Sequence, residues 1–415
     1  MFGQTTPFDM SISGEAHSSY IMAQTMNVVY TANSLIALGN PIVDITVSID
    51  KDTLQNYGLE YRGTIFCNEK TQKFLDELDK KPIVTYTPGG SVMNTLRVCS
   101  WILNMNQSES GRHRITMLGA VGNDIYKDKI FNSLKEANVE PLLEILQERT
   151  SRCGVGIYKK DRCLVPDIQA SNKLSKEFIE EKLDTILQHD VLLIEGYFLK
   201  ENFDMCKYLV NEFKKQNKLV ILTLSAVCIV QYHMDRIKEI ANLSDMIIGN
   251  MEETEVLAGG KNAIFQDTYE KVHRILAPRN RLLVVTCGSH GVYCSKYNYQ
   301  SMRLDLILQC FPNFVKNDEI VDLNGAGDAF LGGFLAMYLK GNTKNKLFSC
   351  CKAGNEAASV ILKNVGCTYP RTLLVDLHRV ERDCSLERVA IRDSSRGDWN
   401  DRERNGWNGR RVVRV

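Results

Sequence analysis

Three apolar runs in the second half of the chain, "DVLLIEGYF", "KLVILTLSA" and "DMIIGN", each lead into a segment with helical patterning, at 202–217, at 229–242 and from Glu252 onward. A fourth run, "RLLVVTCGSHGVYCSK", reads as strand, turn and strand. The runs are too continuously apolar for a sheet with one wet face. Strands of this kind, alternating with helices, demand a mostly parallel sheet covered on both faces, an α/β fold. Upstream, "LIALG" reads as a buried strand and "IVDITVSID" as an alternating, half-exposed one. A polar-faced helix is expected over 69–80. "KPIVTYTPGGSVMNTLRVCSWIL" reads as a strand, a Gly-Gly turn and an apolar helix, and "RITMLGAVGND" with "IYKDKIFNSLKEANV" as a strand, a turn and a helix.

Around 35–68 and 153–166, strands follow one another without intervening helices, which predicts a small β-rich lid over the main domain, built from about 42–68 and 153–168. The expected organisation is a loose extension over 1–33, one domain over 34–375 and a tail over 376–415. That tail holds ten Arg and no Lys, with Trp399 and Trp407, and reads as disordered.

The chain of 415 residues is 44% hydrophobic with a formal net charge of +1, enough for a large core and no reason to expect nucleic acid as a partner. Its 13 cysteines include no C-x-x-C pair and read as reduced thiols. No stretch has the length of a membrane span, and the first thirty residues lack a basic run leading into an apolar one. These features lead to the expectation of a cytosolic or nuclear protein with no membrane partner.

The most informative string is "DLNGAGDAF", residues 322–330. Two glycines at the start of an apolar helix cost helix stability. Without large side chains, the backbone N–H groups at 325–327 are left facing outward at a helix N-terminus, which attracts an anion. Asp328 lies in the same first turn. A carboxylate beside an anion site suits phosphoryl transfer to a hydroxyl: Asp328 as base, with Asn324, Gly325, Ala326 and Gly327 as an anion hole. A Gly-rich turn whose Asp only favours the helix dipole is the other reading.

"GNPIVD", "GGSVMN", "TLSA", "GNMEETE", "DLNGAGDAF" and "AASVILKNVGCTYP" occur in an order and spacing that resembles the ribokinase-like (PfkB) family of carbohydrate and nucleoside kinases. The resemblance spans about residues 35–372. Details such as "ALGNPIVDI" and Trp101 downstream of the Gly-Gly turn are most similar to the branch of that family that phosphorylates adenosine.

The resemblance implies a ribokinase-like fold, ATP as co-substrate with Mg2+, and transfer of the γ-phosphoryl group to the 5′-hydroxyl of adenosine, a step of purine salvage, by a monomer. Another nucleoside or sugar kinase of the same family, or a non-catalytic nucleoside-binding paralogue, stays open at this point. By resemblance, Asp44 receives the ribose hydroxyls; a turn Asp after Pro41 is the alternative. Asn40, Gly89, Gly90, Ser91 and Asn94 are further substrate contacts, or else a plain hinge turn. Leu164, Ile168 and Phe198 are candidate walls for the base, and would otherwise count as core.

Asn250 and Glu253 form the N-x-x-E that in this family organises magnesium through water. The competing reading is an Asn helix cap with Glu at its third position. Gly288 and Gly291 are candidates to face the ATP phosphates, or an ordinary hairpin turn, and Asp322 belongs to the nucleotide side. His290 reads as a turn residue. Arg162 aligns with a lid arginine that contacts phosphate, or is a solvated surface Arg. Three departures from the family pattern stand out. Leu323 replaces a usual Thr, and Pro166 and Asp167 occupy lid positions where small or amide residues are expected. Asp167 is expected to add negative charge near the phosphates.

Overall fold

The computed structural model describes residues 32–59, 63–65, 67–78, 80, 84–104, 111–158, 161–261, 265–341, 346–372 and 374–386. The expectations for 1–31 and for 387–415 lie outside the described residues.

A nine-stranded sheet forms the centre, in the order β13-β12-β11-β10-β9-β8-β1-β4-β5. Strands β1 (Ser34–Leu38), β4 (Arg114–Gly122), β5 (Glu140–Leu146), β8 (Val191–Glu195), β9 (Leu219–Thr223), β10 (Met246–Asn250) and β11 (Leu282–Thr286) are parallel. The hairpin of β12 (Val292–Asn298) and β13 (Arg303–Cys310) adds an antiparallel edge. The pleat divides the apolar strands between two cores. In β1, Leu35 and Ala37 face one cluster while Ile36 and Leu38 face the other. In β8, Val191 and Leu193 divide from Leu192 and Ile194 in the same way. This two-sided burial is why these runs show no alternation in sequence.

Helix Ala326–Lys340 is apolar almost all round, as a helix packed between neighbours must be. A Cβ at Gly332 would lie 2.8 Å from the Thr95 carbonyl of helix Ser91–Asn104. A Cβ at Gly333 would lie 2.5 Å from the Ala353 carbonyl of helix Lys346–Ile361. The expected helix over 229–242 divides at His233 into Val227–Tyr232 and Met234–Leu243.

A second sheet, in the order β3-β2-β6-β7, is the expected lid. It joins β2 (Ile42–Ser48), β6 (Arg152–Tyr158) and β7 (Asp161–Asp167) with β3 (Thr85–Gly89). Two expectations need correction here. Strand β3 belongs to the lid, because its partner is β2 and not a strand of the main sheet. The stretch 35–68 also contains a helix, Lys51–Tyr57: the Asp50 side chain accepts from the Thr53 N–H, and Gly58 closes the helix at φ 64°. Helix Glu69–Leu78 buries Phe74, Leu75 and Leu78 against this sheet, where Gly154 leaves room for them.

The expected tail boundary at 376 is too early. Helix Leu377–Leu386 places Leu377, Val380 and Cys384, spaced three and four apart, in the first core cluster. Arg379 and Glu381 fasten it to Glu356 and Lys340 at 2.7 and 2.9 Å. Among the described residues no helix is long and apolar enough to cross a membrane.

Candidate active site

A cavity of about 400 Å³ opens between the small sheet and the N-termini of helices Ser91–Asn104 and Ala326–Lys340. It lies at the carboxyl ends of the parallel strands, where ligands of open α/β sheets bind. Asp328 sits in its wall with both carboxylate oxygens engaged from the neighbouring helix. The Ser91 hydroxyl donates to one oxygen at 2.7 Å and the Asn94 amide to the other at 3.0 Å. Burial raises the Asp328 carboxyl above the ordinary range, while these two bonds pull it back.

Gly325 begins its helix at φ 77°, a conformation that costs most side chains energy, and no side chain caps this terminus. A Cβ at Gly327 would face open space. At Gly325 a Cβ would instead lie 2.7 Å from the Cys367 side chain, and Asn324, Gly325 and Asp328 line the cavity. Asp322 orders the approach: its carboxylate accepts from the N–H of Asn324 at 3.0 Å and of Gly366 at 2.6 Å.

The lid supplies the opposite wall. Asp44 on β2 lines the cavity, and burial pushes its carboxyl up to about 7 against the pull of Arg162, with the Asp328 charge adding to the rise. Gly89 must lack a side chain, because a Cβ there would lie 2.7 Å from the Asp44 carboxylate. Gly90, at φ 97°, would set a Cβ 2.2 Å from the Asn40 carbonyl oxygen. The Gly-Gly pair therefore lets two chain segments close on each other at the cavity rim. Leu164 of β7 lines the cavity. Arg162 is not a free surface arginine: its guanidinium pairs with Asp322, joining the small sheet to the loop before helix Ala326–Lys340 across 160 positions of sequence.

Asn250 and Glu253 form the capping box that was the competing reading. Asn250 Oδ1 accepts from the Glu253 N–H at 2.9 Å, and the Asn250 N–H and side-chain amide donate to the two Glu253 carboxylate oxygens at 2.9 and 2.7 Å. Burial pushes the Glu253 carboxyl up to about 7. Gly288 and Gly291 sit in the turn after β11, at φ 53° and 89°, and Gly288 has open space at its Cβ position. His290 lies in the same turn, its N–H donating to the Cys287 carbonyl.

Some expected residues stand elsewhere. Phe198 is fully buried in the core cluster with Leu199, Leu224 and Ile229, so it is packing and not a cavity wall. Asn40 is buried and absent from the cavity lining; its N–H donates to Glu195 at 2.8 Å. Asp167 adds no free charge: it is buried against Arg152, whose guanidinium approaches to 3.3 Å, and it accepts from the Gln169 amide. Pro166 is a residue of β7 in a pair with Cys153. Leu323 is 73% exposed, and its carbonyl accepts from the Ala326 N–H at 3.4 Å.

Several cavity residues were not anticipated, among them Thr46, Ser48, Arg97 and Cys367. Arg97 had a readable signal, since it stands one turn after Asn94 on the same face of an apolar helix. It donates to the Asn94 side-chain oxygen at 3.4 Å, and its guanidinium lies 5.6 Å from the centre of the Tyr369 ring. Tyr369 in turn stacks on Trp101 at 4.8 Å.

The chain is similar to several adenosine kinases. "Adenosine kinase 2" of Arabidopsis thaliana is 25% identical over 346 residues, 81% of this chain and 95% of the plant protein. "Adenosine kinase" of Dictyostelium discoideum is 26% identical over 351 residues, 81% of this chain and 96% of that protein. The crystal structure of Anopheles gambiae adenosine kinase in complex with P1,P4-di(adenosine-5) tetraphosphate superposes with a TM-score of 0.71 at 26% identity, covering 82% of this chain and 99% of that one. The family model described as pfkB family carbohydrate kinase matches residues 63–373. That match spans most of the chain, and the chain belongs to the pfkB family of carbohydrate kinases.

Proposed function

We propose that this protein transfers the γ-phosphoryl group of ATP to the 5′-hydroxyl of adenosine, giving ADP and AMP. The observation that carries the reading is the placement of Asp328. It is a buried carboxylate fixed by Ser91 and Asn94 at an uncapped helix N-terminus, with Asp44 across a nucleoside-sized cavity. The full-length likeness to adenosine kinases supports adenosine over a free sugar.

Asp328 takes the proton from the 5′-hydroxyl as its oxygen attacks phosphorus and ADP leaves, and burial raises its affinity for that proton. The Ser91 and Asn94 donors fix the direction of its free lone pairs. Asp44, held by the lid, accepts from the ribose hydroxyls and sets the sugar's orientation. The N–H groups at 325–327 receive the negative charge of the moving phosphoryl group. Closure of the lid, tied to the anion-hole loop by Arg162 and Asp322, excludes water as a rival acceptor.

Among the described residues no cluster of three His, Cys, Asp or Glu could hold a metal. Glu253 has both oxygens on Asn250 but keeps spare lone pairs. That donor set fits magnesium carried by the ATP phosphates and its own waters, with Asn250 and Glu253 holding a metal-bound water. When bound, the ion neutralises phosphate charge. AMP formation from adenosine and MgATP, with inosine and ribose alongside, tests the reading. Turnover of ribose but not adenosine would replace it with a sugar kinase.

A further inference from the structure

Glu195 ends strand β8 as the one charged residue of "VLLIE", and it is 1% exposed. It does not line the cavity, and among the described residues it forms no ion pair. Its compensation comes from the main chain. The Asn40 N–H donates to Oε2 at 2.8 Å, the Val92 N–H donates to Oε1 at 3.4 Å, and the Ser91 N–H faces the same carboxylate. The loop after β1 is pressed onto it, since a Cβ at Gly39 would lie 2.6 Å from Oε2.

Helix Ser91–Asn104 has no acidic residue in its own first turn. Glu195, about one hundred positions away in sequence, supplies the carboxyl oxygens that accept from this helix N-terminus. The same first turn carries Ser91 and Asn94 to Asp328.

We propose that Glu195 is a positioning residue for Asp328: by anchoring the start of helix Ser91–Asn104 and the loop at 39–41, it sets where Ser91 and Asn94 meet the catalytic carboxylate. Glu195 touches neither substrate nor the moving phosphoryl group. Its effect passes through the two donors, so it governs the rate of the chemical step and leaves nucleoside binding to the lid wall.

The inference rests on the proposed adenosine phosphorylation for its kinetic readout, and has a second readout that does not. The variant is Glu195→Gln, which keeps the shape but turns an NH2 toward main-chain donors. Glu195→Asp takes its place if the amide variant does not fold. The kcat for AMP formation is expected to fall about tenfold or more, the loss of one charge-assisted contact, while the adenosine dissociation constant stays within about threefold. Adding Ser91→Ala to Glu195→Gln is expected to cost little further, since both act on one contact.

A crystal structure of the variant should show the Ser91 hydroxyl or the Asn94 amide withdrawn from Asp328. Unchanged kcat, additive losses in the double variant, or both contacts to Asp328 kept in the variant crystal would overturn the proposal. Absence of AMP formation by the wild type counts against the proposed function, and the crystal structure alone then decides the role of Glu195.

Discussion

The two walls of the cavity are built by different rules. On the anion-hole wall each functional group belongs to a short local pattern: Gly325 at a left-handed position, Asp328 in the first helical turn, Ser91 and Asn94 at the start of the next helix. On the lid wall charge is settled by partners on other elements, a facing strand or a loop. Arg152 neutralises Asp167 on a neighbouring strand, and Arg162 reaches Asp322 in the anion-hole loop. A local pattern fixes what the first wall can do. On the second wall, the same side chain is a liability or an anchor according to its partner.

The sharpest challenge to this contrast is Arg152→Ala. Both members of the Arg152–Asp167 pair are 3% exposed, and Arg152 also reaches Asp76 at 3.1 Å. Removing the guanidinium leaves the buried Asp167 carboxylate with only the Gln169 amide and the more distant Arg149 at 4.0 Å, with an expected loss of about 3 kcal/mol in denaturant unfolding. A loss below about 1 kcal/mol would mean that the lid's charges are not organised by pairing.

Next in size is Asp44→Ala. With the acceptor for the ribose hydroxyls gone, KM for adenosine is expected to rise about 10–100-fold, with a smaller effect on kcat. Equal loss in both, measured by steady-state kinetics, would move Asp44 from binding to chemistry.

The third expectation concerns pH. Asp44, Glu195 and Glu253 are each held up to about 7 by burial. Their folded values exceed those of the unfolded chain, so their contribution to stability is complete below about pH 4 and is lost as pH rises through about 7. Thermal unfolding of the ligand-free protein should shift to lower temperature between about pH 4 and 7 through these groups, and a midpoint that climbs across that window would contradict these environments.

The smallest effect is expected from Leu323→Thr. The side chain is 73% exposed, so activity and stability should change by no more than about twofold. A large gain in the affinity for ATP would show that the hydroxyl usual at this position matters after all.

This difference between the walls also explains what could be read in advance. The sheet class was legible because strands buried on both faces have no other way to look. Asp328, Asn94 and the glycines were legible because helix starts and left-handed turns restrict residue choice at single positions. Phe198 was misassigned because an aromatic at a strand end looks alike in a core and in a pocket; only packing with Leu224 and Ile229 decides.

Asp167 was misread because its partner Arg152 lies on another strand, and pairing across a sheet leaves no local mark. Helix Lys51–Tyr57 had its signals, Asp50 before it and Gly58 after it, inside a stretch dominated by strand alternation. The helix Leu377–Leu386 was hidden by arginines around a narrow apolar stripe.

The central claim is that Asp328 is the base and that the nucleoside is held by the rest of the cavity. The most direct measurement compares wild type and Asp328→Asn for AMP formation from adenosine and MgATP, with adenosine affinity determined by calorimetry on the same preparations. The account predicts a fall in turnover of roughly 10²–10⁴-fold with adenosine binding largely intact. An Asp328→Asn protein that makes AMP at the wild-type rate would contradict it.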